Sequence, residues 1–194
     1  EFSKKFNFLI KNKYLYLLVA LFFIIFIGLR YEIGCDWAQY ENMFEKYSSL
    51  NIIQIIERNL FAKYKLQELG HIFLTQISKN IYILNLIYSI LFSLPLFYFC
   101  SKLKRRYFSL LISYPYYIVV IGMGPIRQAA CISFLMLSIF LISEKKYYIS
   151  FFISILTLLI HQSSILFNGI IFGSLITKVK KIKFSGKIIF LISL

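Results

Sequence analysis

An all-α, polytopic membrane helix bundle is predicted by three features of this chain. It is 59% hydrophobic over 194 residues, its mean hydropathy is +0.74, and its Lys and Arg residues gather in alternate connections between apolar runs. A soluble domain carries about 45–50% apolar residues. The net charge is +14, from 22 Lys and Arg against 8 Asp and Glu, which in a soluble protein would point to nucleic acid. Here 15 of the 22 cations flank apolar runs on one side, as the positive-inside rule requires. No nucleic-acid partner is expected.

The elements follow in order. Tyr14–Leu29 comes after Lys4, Lys5, Lys11 and Lys13. It reads as a signal anchor, because Gly28-Leu29-Arg30-Tyr31-Glu32 is a poor cleavage site. Ile81–Cys100 and Tyr107–Ile121 are joined by Lys102, Lys104, Arg105 and Arg106. Ile126–Ile142 and Tyr147–Ile160 are joined by Lys145 and Lys146, and Ile165–Ile176 precedes a Lys cluster from Lys178 to Lys187. This alternation puts the N-terminus in the cytoplasm. The runs Tyr147–Ile160 and Ile165–Ile176 are short for a crossing of about 20 residues, but Lys145-Lys146 and the later cluster must share a side, so a hairpin is expected. A seventh run begins at Ile188 and stops after seven residues, so the chain reads as a C-terminally truncated fragment. The expectation is one membrane domain over 1–194, with about six full transmembrane helices and the start of a seventh.

Residues 30–80 form the long extracytoplasmic loop and hold six of the eight acids. Trp37–Tyr47 places Tyr40, Phe44 and Tyr47 on one helical face, predicting an amphipathic helix on the outer leaflet. Leu66–Lys79 predicts a second short helix with Leu69, Phe73 and Ile77 aligned. Cys35, Cys100 and Cys131 have no metal-ligand spacing, and His71 and His161 are the two histidines. The acids form no clear Mg²⁺ cluster, so metal independence and no cofactor are expected.

Three polar sites lie at the outer ends of apolar runs, where ionisable groups are expensive and usually mark a site. In Gly122-Met123-Gly124-Pro125-Ile126-Arg127-Gln128, the glycines let the chain reverse and Pro125 suits a first helical turn. The free N–H groups there and the Arg127 guanidinium would favour a phosphate or diphosphate. Arg127 reads equally as an interfacial arginine snorkelling to headgroups. In the run Arg30–Tyr40, Gly34 lets the chain fold back so that Asp36 can meet Arg30 as a buried ion pair, and Asp36 reads alternatively as a solvated loop acid. Trp37 and Tyr40 read first as interfacial aromatics and second as a stacking surface for sugar rings. His161 ends a helix, where it can donate to a phosphate or act as acid or base, or be hydrogen-bonded within the bundle.

Together these elements resemble the EpsG family of Wzy-like polysaccharide polymerases. Arg30, Gly34, Asp36 and Tyr40 match an Arg-x3-Gly-x-Asp-x3-Tyr motif after the first membrane helix. Glu68 and Gly70 are similar to a Glu-x-Gly element, Arg127-Gln128-Ala129-Ala130 looks like an Arg-Gln-x-x-Ala-like element, and His161-Gln162-Ser163 looks like a His-x-Ser element. The resemblance spans residues 14–176. It implies a membrane glycosyltransferase of the broad GT-C type in the bacterial cytoplasmic membrane. Its substrate would be a polyprenyl-diphosphate-linked oligosaccharide, used for capsule, exopolysaccharide or O-antigen. Membrane lipids, a flippase and a chain-length regulator are the implied partners. Arg127, Arg30, Asp36 and His161 are then the candidate catalytic residues, and Gly34, Tyr40, Glu68 and Gln128 the candidate substrate-binding residues. The rival readings are a flippase or transporter of the same lipid-linked unit, and an inactive truncated membrane protein. The flippase reading predicts charges along the middle of the membrane helices, whereas the candidates crowd one side.

Overall fold

The computed structural model describes residues 13–49 and 69–179, and every regular element in them is helical. The predicted run from Ile188 and the candidate Glu68 lie outside the described residues. The helices are α1 (Lys13–Gly28), α2 (Trp37–Ser48), α3 (Leu69–Ile77), α4 (Ile81–Lys102), α5 (Arg106–Ser113), α6 (Ile126–Ser143), α7 (Tyr147–Ile160) and α8 (Ser164–Val179). A π-helical segment, Tyr114–Ile121, continues α5. Pro115 lies at its start, has no N–H to give, and its ring crowds the carbonyl four residues back, so the regular ladder cannot run on. The segment is pinned to α6 by Tyr117, whose hydroxyl donates to the Ala129 carbonyl at 2.9 Å and lies 2.8 Å from Ser133 Oγ.

α4 is the centre of the bundle. It starts at Asn80, whose Oδ1 accepts the Ile83 N–H at 2.9 Å. It packs against α1 and α6, and α6 packs against α7. Tyr88, Phe92 and Leu96 are buried along α4 and meet Ile27, Ile118 and Ile126 in one core. Both α4 and α6 are long and apolar enough to cross a membrane, whereas Lys13–Gly28, Arg106–Ile121, Tyr147–Ile160 and Ser164–Leu175 are shorter apolar helices.

Inside and outside are arranged as lipid requires. Leu111, Phe152 and Leu166 are 66%, 63% and 78% exposed on the outer faces, an arrangement that water would penalise. Ser138 of α6 and Ser150, Ser154 and Thr157 of α7 are fully buried. Small hydroxyl residues let helix backbones approach and hydrogen-bond across the interface, which is how helices associate where the surroundings are as apolar as leucine. Ser138 Oγ donates to the Ser150 carbonyl at 2.8 Å, Ser150 Oγ to the Ser138 carbonyl at 2.9 Å, and the two hydroxyls lie 2.7 Å apart. A double-mutant cycle of Ser138→Ala and Ser150→Ala, followed by denaturation in bicelles, is expected to give a coupling of about 0.6 kcal/mol. Strict additivity would show the pair to be uncoupled.

The two loop helices differ from their sequence expectation in what they bury. Tyr40 and Tyr47 of α2 are buried and Phe44 is half-buried, so this face rests on the bundle rather than on the lipid surface. On α3 the expected stripe is turned outward. Phe73 and Ile77 are 63% and 56% exposed, while His71, Ile72 and Thr75 are buried. An apolar stripe predicts the buried face in water, but beside lipid it is the small and polar side that packs on protein.

A cavity of about 720 Å³ lies between α1, α4 and α6, lined by Ala20, Leu94 and Leu137 among others and bounded by Lys13 and Arg106. It opens at the basic end of the bundle, away from the Arg30 and Arg127 ends of α1 and α6.

Candidate functional site

The other end of the bundle gathers the sequence motifs. α1 stops at Gly28, and Arg30 turns inward and is 3% exposed. Its Nη1 faces three successive carbonyls of the reversal before α6: Gly122 at 3.5 Å, Met123, and Gly124 at 3.2 Å. That reversal is held by the Gly124 N–H donating to Val120 at 3.0 Å and the Ile126 N–H to Gly124 at 2.8 Å. The expected Arg30–Asp36 ion pair does not form. The guanidinium is drawn instead to the carbonyls of the reversal, of which Gly124 also accepts the Ile126 N–H, and a cation satisfies such helix-end oxygens well. Asp36 is half-buried at the N-cap position of α2 and makes no side-chain cap bond. Burial pulls the Arg30 pKa down, while Tyr40 and Asp36 nearby support its charge.

Gly34 completes the docking. Its φ is +104°, a left-handed conformation natural to glycine, and a Cβ there would overlap the Met123 carbonyl oxygen and lie 3.1 Å from Gly124 Cα. The sequence reading offers Gly34 as substrate-binding. In the fold it is the seat on which the Arg30–Tyr40 run meets the Gly122–Gly124 reversal.

Arg127 lies in the first turn of α6 and is 5% exposed. Pro125 precedes that turn, and no side chain caps it. The guanidinium carbon sits 5.2 Å from the centre of the Tyr40 ring. Tyr40 is therefore neither a surface aromatic nor a free stacking plane. It forms the floor beneath a buried cation, an arrangement worth more once desolvated. Burial raises the Tyr40 pKa, and the charge and hydrogen bonding of Arg127 oppose that rise. Gln128 is half-buried beside Arg127.

His161 is the half-buried C-cap of α7, its N–H donating to Thr157 at 3.2 Å and its carbonyl accepting from Ser164 Oγ at 2.6 Å. Gly70, of the Glu68–Gly70 element, brings α3 onto the same end of α7: a Cβ there would lie 2.6 Å from the Leu159 carbonyl oxygen. The next residue, His71, is fully buried, and its Nδ1 lies 2.9 Å from the Tyr88 hydroxyl. Burial first, then the nearby charges of Arg127 and His161, hold the His71 pKa down to about 3. Sequence reasoning did not select His71. A lone histidine within an apolar helix of a membrane protein was the available signal.

The fold thus links Arg30, Tyr40, Arg127, His71 and His161, with Asp36 at the rim. Among the described residues, Arg30 Nε and Nη2, Arg127 Nε and Nη1, and His71 Nε2 are buried without a hydrogen-bond partner. Buried donors normally find acceptors. A cluster with more donors than acceptors is chemically suited to an anion rich in oxygen.

No curated protein and no solved structure matches the chain significantly. One family model does match it, over residues 13–194, which takes in every described element and all four sequence motifs. This helical membrane protein therefore belongs to the EpsG family.

Proposed function

We propose that the protein polymerises polyprenyl-diphosphate-linked oligosaccharide repeat units at the outer face of a bacterial cytoplasmic membrane. Family membership supports a polysaccharide polymerase-like role. The observation that carries the finer reading is the donor-rich pair of buried guanidinium groups, Arg30 and Arg127, joined through the Gly122–Gly124 reversal. In such a reaction the acceptor hydroxyl oxygen attacks the anomeric carbon of the growing glycan. A new glycosidic C–O bond forms, the bond to the diphosphate breaks with its electron pair leaving on oxygen, and the hydroxyl proton passes to a base. Charge grows on the leaving diphosphate, so fixed cations and N–H groups aimed there lower the barrier. Arg127 and Arg30 serve that role. Asp36 and His161 are the two candidate bases, and both are within the site or at its rim. Tyr40 holds Arg127, and Gln128 and Glu68 remain candidates for contact with the sugar. A flippase and a chain-length regulator are the partners such a polymerase works with.

The chain reconstituted in liposomes with lipid-linked repeat units should yield a ladder of longer glycans. Movement of single units across the bilayer without a ladder would favour the flippase reading instead. The base is then assigned by two variants. The residue that transfers the proton should lose about a hundredfold or more in ladder formation when made Asp36→Asn or His161→Gln, and the other should lose under tenfold. Equal, small losses in both would show that neither acts as the base.

A further inference from the structure

His71 adds a donor that neither the sequence motifs nor the family match singles out. It lies on α3, one residue after the Gly70 contact with α7, and it is fully buried. Its Nδ1 is 2.9 Å from the Tyr88 hydroxyl of α4. A neutral imidazole has one N–H and one lone pair. In the tautomer in which the Tyr88 O–H donates to Nδ1, the imidazole N–H stands on Nε2. That nitrogen is buried and has no acceptor among the described residues. The same holds for two nitrogens of Arg127 and two of Arg30, so five buried nitrogens on three side chains lack acceptors. The nearby carboxylate, Asp36, pairs with none of them. Burial first, and then the charges of Arg127 and His161, keep the imidazole neutral, so it can act as a donor without adding charge.

Building on the polymerase reading, we infer that His71 Nε2–H is a substrate-binding donor, hydrogen-bonding a diphosphate oxygen of the lipid carrier alongside Arg127. A neutral donor beside two cations adds directionality without adding charge. It helps to hold the anionic leaving group without gripping the released product as a third cation would.

The test uses the full chain in nanodiscs, titrated with farnesyl diphosphate and with farnesol as soluble probes. The unmodified chain should prefer the diphosphate. His71→Phe keeps a ring of similar size and should lose about tenfold or more in farnesyl diphosphate affinity while farnesol affinity stays unchanged. His71→Gln, whose amide nitrogen can stand near the Nε2 position, should recover most of that loss. Tyr88→Phe frees Nδ1 but leaves Nε2 and should lose less than His71→Phe. Unchanged farnesyl diphosphate affinity in His71→Phe overturns the role of His71, and equal losses for both probes would reduce it to packing. Arg127→Gln separates the two readings: if it weakens diphosphate binding and His71→Phe does not, His71 alone is wrong. If the unmodified chain shows no preference for the diphosphate, both readings fall.

Discussion

Arg127→Ala is expected to abolish long-chain glycan while single repeat units stay on their lipid carriers. The side chain is 5% exposed, stands in the uncapped first turn of α6 and rests on the Tyr40 ring. Removing one preorganised donor from a developing anion costs about 10²–10³ in rate, or about 3–4 kcal/mol. Here the loss includes a full charge as well as the donors. Arg127→Lys should restore part of the activity, because the point charge returns without the planar fork. The measurement is the length distribution of glycan on gels from membranes holding equal amounts of each variant. Chains of ordinary length from Arg127→Ala would remove this residue from the mechanism.

Gly34→Ala should have the second large effect, and by a different route. The substitution strains a backbone at φ +104° and drives a methyl group into the Met123 carbonyl. Strained left-handed residues cost about 1–3 kcal/mol, and the overlap adds to that because the obstacle is main chain that cannot rotate away. The Arg30–Tyr40 run should detach from the Gly122–Gly124 reversal, so that Arg30 loses its carbonyl partners and Tyr40 loses Arg127. We expect a lower unfolding midpoint in detergent and a fall in glycan synthesis. Arg127→Ala, by comparison, should lower the midpoint less, because it removes the Tyr40 contact but leaves Gly34 docked on Met123. A Gly34→Ala protein with normal stability and activity would mean that the two motifs do not depend on this contact. The contrast between the variants separates the substrate contact proposed for Arg127 from the seating role of Gly34.

Several parts of this protein were legible as sequence. Composition and the spacing of Lys and Arg announced helices in a membrane, because lipid demands apolar faces and satisfied backbones. The described apolar helices fall at the predicted runs, with α4 at Ile81–Lys102 and α6 at Ile126–Ser143. The motifs were also visible, since Arg30, Arg127 and His161 stand out against apolar neighbours, and the family match over residues 13–194 takes them all in. What each side chain touches was less legible. Arg30 and Asp36 are close in sequence and opposite in charge, yet Arg30 is spent on carbonyls 92 to 94 residues away. Tyr40 reads as an interface aromatic until α2 is seen packed on the bundle. His71 lies off the apolar stripe of Leu69, Phe73 and Ile77, and beside lipid it is that other face that packs on protein.

Segment identity, membrane character and the residues with unusual chemistry are local properties. Hydropathy, charge and turn chemistry act over a few residues, so the amino-acid order determines them by itself. Which of those residues meet was decided only in three dimensions. Gly34 against Met123 and Gly70 against Leu159 are backbone-to-backbone approaches between distant elements, and no periodicity in the chain encodes the partner. The order of connections already put Arg30, Arg127 and His161 at one end, and those two contacts decide which side chains pack together there, because closely packed helices leave their termini little freedom.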